Sequence, residues 1–208
     1  MKKTLIQVRN LAIGHKDRPL FADISFDICE GDVILLCGAN GSGKTTLLKA
    51  LTEIRSEVEI AMIPTRIPKI KGFTLNEFIN LSCYNKQNAD SDKALKKLAL
   101  SHLADRDIST LSDGEFQKGT IAAAIAKGAE IILMDEPTAF LDTENRRNVL
   151  STLRKLCEET GTAVIFSSHD LYEALETCNK VIALGADRQC YISSENLKDT
   201  ISAIFSKD

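Results

Sequence analysis

The residues best suited to chemistry form the stretch GANGSGKTT, residues 38–46, between a short apolar run and a helical pattern. It matches G-x-x-x-x-G-K-[ST], whose glycines let backbone N–H groups surround phosphate oxygens at a helix start. Lys44 would reach the β- and γ-phosphates of a nucleotide, and Thr45 would hold Mg²⁺. A glycine-rich turn with a chance lysine is the alternative, which the flanking strand and helix disfavour. The predicted phosphate-binding residues are Gly38, Ala39, Asn40, Gly41, Ser42, Gly43, Lys44, Thr45 and Thr46.

Two adjacent acids, Asp135 and Glu136, follow the apolar run IILM. A buried strand would deliver them to the carboxyl edge of a sheet, where open α/β sheets bind their ligands. Asp135 would bind Mg²⁺, directly or through water, and Glu136 would be the base that orients and polarises the attacking water. Solvated acids at a strand end are the alternative. The phosphate-binding motif favours the metal site, since its Lys44 lies ninety-one residues before Asp135.

The stretch TLSDGEFQKG, residues 110–119, has the pattern of a helix start. Ser112 is followed three residues later by Glu115, which is the spacing of a capping box, and acids in a first turn suit the helix dipole. Gly114 is a poor helix former at this place. The residues alone leave two readings open, a cap only or a cap that also contacts a ligand.

Hydrophobic periodicity predicts strands that alternate with helices, and hence an α/β fold with a mainly parallel sheet flanked by helices. The predicted strands are residues 4–12, 20–28, 32–38, 58–64, 130–137, 162–170 and 180–185. The predicted helices are residues 41–51, 74–83, 91–99, 113–128, 143–159 and 170–178. Residues 193–207 are predicted to form a terminal helix or a loop.

Composition narrows the class of protein. The length of 208 residues fits one domain or a compact two-lobed one. The net charge of −3 disfavours general nucleic-acid binding. Its six cysteines include no CxxC pair, so we expect reduced thiols and a cytosolic location rather than a zinc site. We expect no signal peptide and no membrane span, so any membrane contact would belong to a partner.

The order of the motifs resembles the ATP-binding subunit of ABC transporters. LSDGE precedes the strand with the two acids by about twenty residues, FLD and SSHD follow it, and the resemblance covers residues from about 4 to 185. It implies a P-loop NTPase fold, with residues 1–208 as a single ABC-type ATP-binding domain. A helical signature subdomain, about residues 66–127, would be inserted in the ATPase core. Only twenty-one residues separate Lys44 from Thr65, so the antiparallel β-lobe should be reduced.

The resemblance also implies roles for individual residues. Ser112 and Gly114 match the signature motif, which contacts the γ-phosphate of ATP bound to the partner subunit, with Gly114 permitting close backbone approach. Asp142 in AFLD matches the acid that couples the two sites of a dimer. His169 in SSHD matches the switch histidine that senses the γ-phosphate. His15 falls where the family carries an aromatic residue that stacks on adenine, although a turn histidine is equally compatible.

Besides this short interval between Lys44 and Thr65, two other places depart from the family pattern. Thr65 in IPTRIP stands where a glutamine normally reaches Mg²⁺ and links the site to the membrane subunits, which puts the usual coupling in doubt. Asp113 and Glu115 stand where Gly and Gln are commoner in the signature motif. Because a carboxylate beside a γ-phosphate is repulsive, we expect both acids to point away from it, towards basic residues or backbone N–H groups.

The resemblance implies an ATPase subunit of a transporter, with ATP and Mg²⁺ as cofactors and with Lys44, Glu136 and His169 as catalytic residues. Its partners would be integral-membrane permease subunits at the cytoplasmic face of the membrane and a second copy of itself in a nucleotide-sandwich dimer. A periplasmic or surface solute-binding protein would take part indirectly, and nucleic acid would not. Residues 65–84 would line a groove for a permease helix, or would form an ordinary amphipathic helix over the core.

The stretches GFTLNEFI, LADRDISTLSDGE and DEPTAFLD look most like the branch that imports iron siderophores, haem and vitamin B12. Two other functions remain open at this point. One is a soluble ABC-type ATPase that acts on DNA or ribosomes, although no coiled-coil insert, zinc element or tandem cassette is visible. The other is a degenerate regulatory subunit, against which the intact catalytic residues argue.

Overall fold

The computed structural model describes residues 2–15, 18–84, 86 and 89–205. The chain begins with a long antiparallel hairpin of β1 (Thr4–His15) and β2 (Arg18–Cys29), interrupted by shifts of register. Alternate residues of the hairpin are apolar and buried, as expected for a sheet that packs one face on a core. The hairpin forms a sheet of its own, so the predicted small antiparallel β-lobe is confirmed.

The main sheet, as far as the described residues show it, has the strand order β4-β5-β6-β3-β7-β8. Neighbouring strands are parallel except at one edge, where β8 pairs antiparallel with β7. The strands are β3 (Val33–Gly38), β4 (Ile60–Ile63), β5 (Ile131–Met134), β6 (Ala163–Ser167), β7 (Lys180–Leu184) and β8 (Cys190–Ser193). The predicted parallel sheet is confirmed. The strand β8, which is short and only partly buried, was not predicted.

Helices connect the strands and cover the sheet. They are α1 (Lys44–Thr52), α2 (Leu75–Ser82), α3 (Ser91–Lys97), α4 (Asp113–Ala126), α5 (Thr143–Thr160), α6 (Leu171–Thr177) and α7 (Leu197–Phe205). Residues 197–205 of the predicted terminal segment are therefore helical, whereas Ser193 at its start belongs to β8. Within the described ranges, no helix combines the length and the apolar character that a bilayer crossing requires.

The two faces of β3 belong to two hydrophobic cores. Ile34 and Leu36 pack with the hairpin and α1, whereas Val33, Leu35 and Cys37 pack with the helices of the opposite face. Side chains on a strand alternate between faces, and β3 is apolar at every position from 33 to 37 because both of its faces are covered. This double burial fixes the edge of the sheet from which the GANGSGKTT loop leaves.

In the sequence, the helices α2, α3 and α4 lie between β4 and β5, within the range predicted for the helical subdomain. In space, α2 and α3 pack on α4 to form one layer. Two of them begin with a capping box, Thr74 with Glu77 at α2 and Ser112 with Glu115 at α4. The rings of Phe78 and Phe116 lie 5.4 Å apart and join α2 to α4. The layer presents the start of α4 at the surface.

Candidate functional site

The loop 38–43 connects the buried end of β3 to α1. Gly43 is the N-cap of α1 with φ +103°, a conformation that favours glycine, and no side chain caps the first turn. Gly38 is the other required glycine, because a Cβ there would lie 2.6 Å from Ser42 Oγ and 3.0 Å from the carbonyl oxygen of Leu184. The loop is therefore tight, and no side chain of the described residues accepts a hydrogen bond from the N–H groups at the start of α1.

Lys44 lies folded over this loop. Its Nζ donates to the carbonyl oxygens of Gly38 at 2.9 Å and Ala39 at 3.0 Å, and the residue is buried. Burial lowers the pKa of Lys44 below its ordinary value, while the carboxylates of Glu136 and Asp135 oppose the shift. An anion that entered the loop would give the ammonium group a stronger partner than two neutral carbonyls.

Five side chains and one backbone group form a chain of hydrogen bonds at the carboxyl edge of the sheet. Thr45 Oγ1 donates to Asp135 Oδ2 at 2.7 Å. The buried Ser167 donates its hydroxyl to Asp135 Oδ1 at 2.8 Å and accepts from the backbone N–H of Glu136 at 2.8 Å. The last link is a contact of 2.6 Å between Glu136 Oε1 and His169 Nε2. The ends of β5 and β6 thus align the two acids.

The backbone of Glu136 adopts φ +50°, which is uncommon for a residue with a side chain. The preceding Asp135 still belongs to the sheet, because its N–H donates to the carbonyl oxygen of Ile63 at 3.0 Å. The chain therefore turns sharply between the two acids. The turn leaves Asp135 buried beside Thr45, while Glu136 is turned towards His169.

The start of α4 has the geometry of a capping box. Ser112 Oγ accepts from the N–H of Glu115 at 3.2 Å, and Glu115 Oε2 accepts from the N–H of Ser112 at 2.8 Å. These hydrogen bonds lower the pKa of Glu115. Asp113 pairs with Lys69 at 2.6 Å. Both acids therefore have the kinds of partner that the sequence predicted, a backbone N–H group and a basic residue.

Asp142 is the N-cap of α5, and Asn145 occupies both of its oxygens. The backbone N–H and the side-chain amide of Asn145 donate to them at 2.8 Å each. The same Asn145 also lies against Gly114, where an added Cβ would meet its Oδ1 at 2.7 Å. Close packing on α5 within the chain thus requires glycine at position 114, a reason that the sequence did not reveal.

Lys44, Thr45, Asp135, Glu136 and His169 are thus brought together at one edge of the sheet. A cleft of about 810 Å³ opens beside Glu136 and His169. Ser112, Gly114 and Asp142 instead lie at the starts of α4 and α5. The backbone of His15 ends β1, but its side chain lies outside the described residues.

A model of the family described as ABC transporter matches residues 21–139. The chain belongs to the ABC transporter family. The iron(3+)-hydroxamate import ATP-binding protein FhuC of Bacillus subtilis is 30% identical over 210 residues, which cover 86% of this chain and 78% of the relative. The zinc import ATP-binding protein ZnuC of Cereibacter sphaeroides is 29% identical over 200 residues, which cover 90% and 82%.

A solved structure of a metal-chelate type ABC transporter in an inward-facing conformation has a TM-score of 0.85 and 26% identity, covering 98% of this chain and 90% of that one. These findings confirm the predicted fold and family. The protein with the printed sequence is therefore an ATP-binding subunit and an ATPase. Its permease partners make it part of a membrane assembly.

Three residues with clear positions in this ABC site were missed by sequence reasoning. Ser167 stands in the SSHD stretch, where a hydroxyl at the end of a strand beside two acids could have indicated its role. Lys69 and Arg146 carried no such signal. Arg146 pairs with Asp170 and lies 3.9 Å from Glu173, which ties the start of α5 to the segment after His169.

Proposed function

We propose that the chain is the ATPase subunit of an importer for a metal ion or metal chelate and that it hydrolyses ATP with Mg²⁺. The observation that carries the proposal is the hydrogen-bond chain from Thr45 through Asp135 and Ser167 to Glu136 and His169, beside the loop that holds Lys44. A phosphate-binding loop, a metal-ligand pair and a base meet there at one sheet edge, as metal-assisted phosphoryl transfer requires.

Thr45 and Asp135 fit a magnesium site. A hydroxyl and a carboxylate oxygen lie 2.7 Å apart, and Mg²⁺ prefers oxygen ligands and takes its remaining ones from water and phosphate. Ser42 Oγ is buried without a hydrogen-bond partner among the described residues, so the loop offers a further polar group for phosphate. Bound Mg²⁺ would supply charge neutralisation for the β- and γ-phosphates.

Glu136 is the proposed base. One of its carboxylate oxygens contacts His169 Nε2 at 2.6 Å, and the cleft beside the pair gives water and phosphate access. Glu136 would orient the attacking water and accept its proton, while His169 would hold the carboxylate and contact the γ-phosphate. Lys44 would leave the carbonyls of the loop and bind the phosphates.

The proposed active state is a head-to-tail dimer. Ser112 and Gly114 at the start of α4 are not joined to the 38–46 loop by any hydrogen bond within the described chain. They would complete the site of a second copy, with Asp142 at the contact between the two sites. ATP would favour this dimer because it would contact both copies only in the closed state. Adenine stacking on His15 is part of the same proposal.

A permease would dock on the helical subdomain. A groove of about 190 Å³ runs between β4 and α4, with Ile67, Phe78 and Ala123 among its lining residues. Phe73 before α2 and Tyr84 after it add exposed apolar side chains to the helical layer. We assign this surface to a permease helix at the cytoplasmic face of the membrane, with a solute-binding protein on the other side. Thr65 lines the next cleft together with Glu136, where it can offer a hydroxyl in place of the usual glutamine.

Glu136→Gln tests the proposed hydrolysis cycle. The variant should bind ATP, fail to hydrolyse it and accumulate as a dimer, measured by light scattering after size exclusion with ATP and Mg²⁺. Glu130→Gln is the matched control, because Glu130 precedes β5 at the opposite end of the same strand. A Glu136→Gln chain that stayed monomeric with bound ATP would contradict the shared site.

The transported class is tested in the native host. Relatives are named for iron(3+)-hydroxamate and zinc import, so uptake of labelled ferric hydroxamate and of zinc should be compared in cells that carry the native chain or Lys44→Ala. We expect one of the two uptake rates to fall with Lys44→Ala. Unchanged uptake of both solutes would argue against metal import, and co-purification of a polytopic membrane subunit would support a permease partner independently.

A further inference from the structure

The segment after β4 carries Lys69, whose ammonium group reaches the start of α4. Lys69 Nζ donates to the carbonyl oxygen of Leu111 at 2.7 Å and lies 2.6 Å from Asp113 Oδ1. It also lies 5.6 Å from the ring centroid of Phe116, one turn further along α4. Leu111 and Asp113 are the neighbours of Ser112 in the chain. The ammonium group of Lys69 therefore contacts the residues on both sides of Ser112, which is proposed to bind the ATP phosphate of a second copy.

Without Lys69, the carboxylate of Asp113 would carry an uncompensated negative charge at the start of α4. Glu115 is occupied by the capping box with Ser112. Asp113 has a side chain that is 65% exposed, whereas the side chain of Lys69 is only 23% exposed. An unneutralised carboxylate at an anion-binding helix end repels an arriving phosphate. The ammonium group of Lys69 is the cation that faces this carboxylate.

Lys69 also joins two parts of the site. It lies six residues after Ile63, whose carbonyl oxygen accepts from the N–H of Asp135 at 3.0 Å. The proposed metal end of the site and the start of α4 are therefore connected by one short stretch of chain and the Lys69 contacts. Thr65 lies on this stretch, in the place where the usual glutamine is missing.

We propose that Lys69 is a positioning residue for the ATP-driven reaction. It neutralises Asp113 and holds the start of α4 so that Ser112 can receive the triphosphate bound by a second copy. The inference rests on the proposed function. The site therefore has one further requirement. With an acid at position 113 it needs a nearby cation, whereas with the commoner glycine it would not.

The alternative is that the Lys69–Asp113 pair only stabilises the fold. The unfolding temperature and the ATP dependence of dimerisation together separate this alternative from a positioning role. An ion pair with one exposed partner contributes little to folding, so loss of the pair should change the unfolding temperature by no more than a few degrees. Positioning instead predicts a change in the ATP concentration needed for dimerisation. The two effects are measured on the same samples.

The experiment uses the full chain with Glu136→Gln as the background, and measures the ATP concentration for half-maximal dimerisation by light scattering. Lys69→Met should raise that concentration roughly two- to thirtyfold, the range for a charge at a helix terminus. Asp113→Asn alone should not raise it, and Lys69→Met with Asp113→Asn should recover most of the loss. Lys71→Met, two residues away and exposed, is the matched control.

Each outcome decides between the readings. An unchanged ATP concentration for Lys69→Met, or a double variant no better than Lys69→Met, would overturn the inference. A similar loss for Lys71→Met would show a general charge effect and would also overturn it. If Glu136→Gln without further changes binds ATP but never dimerises, the proposed function itself fails, and the result is distinct from failure at Lys69. Lys69→Arg keeps the charge and should behave as the background does.

Discussion

Ser167→Ala is the substitution that tests most directly how the acid pair is held. Ser167 is fully buried, and its hydroxyl donates to Asp135 Oδ1 and accepts from the N–H of Glu136, both at 2.8 Å. The variant leaves one buried acceptor and one buried donor without that partner. Each such loss costs about 1–3 kcal/mol, so we expect a loss of roughly 2–6 kcal/mol in unfolding free energy. The unfolding temperature should fall by roughly 4–24 °C.

The effect on activity should be separable from the effect on stability. Residues that hold metal ligands typically change metal affinity or activity by about 10–100-fold, so the Mg²⁺ concentration for half-maximal ATPase rate should rise by that order. The assay is phosphate release at saturating ATP with Mg²⁺ varied, well below the unfolding temperature. Thr162→Ala is the control, because Thr162 directly precedes the other end of β6 and accepts one partly buried hydrogen bond from Thr160. An unchanged Mg²⁺ dependence for Ser167→Ala would refute the reasoning.

Two further predictions concern the loop and the helix cap. Lys44→Ala should abolish ATP binding measured by calorimetry, because the ammonium group held at 2.9 Å from Gly38 is the cation placed for phosphate; unchanged affinity would refute the loop assignment. Hydrogen bonds from Ser112 lower the pKa of Glu115 below its ordinary 4.5, so this stabilisation is present above that value and is lost as pH falls through the folded pKa. Glu115→Gln should therefore reduce the unfolding temperature at pH 7 and progressively less at lower pH. A difference that did not change with pH would contradict this.

Local patterns in the sequence predicted the elements that carry the chemistry. The loop 38–46, the acids after β5 and the cap at Ser112 depend on residues close together in the chain, and the structure has them at the predicted places. The edge strand β8 was not predicted because four residues, three partly buried and one exposed, are too few to show a recognisable period. The roles assigned to the individual site residues stay predictions.

Contacts between residues far apart in the chain could not be predicted from the sequence. The contact between Gly114 and Asn145 joins two helix starts that are 31 positions apart in the chain, and the contact between Lys69 and Asp113 spans 44 positions. Neither pair has a periodic pattern, because each follows from how α4 packs on its neighbours. The expectation that Asp113 would face a basic residue came from electrostatics, but which lysine it would be could only come from the fold.

The left-handed backbone of Glu136 has a consequence for evolution. A residue with a Cβ at φ +50° raises the energy of the folded chain by about 1 kcal/mol, and asparagine tolerates this conformation better than glutamate. Stability and hydrolysis therefore favour different residues at position 136. A lineage that no longer needed hydrolysis would drift towards asparagine there. In the laboratory, Glu136→Asn should unfold at a urea concentration no lower than the native chain while losing its ATPase activity, and a lower midpoint would refute the trade-off.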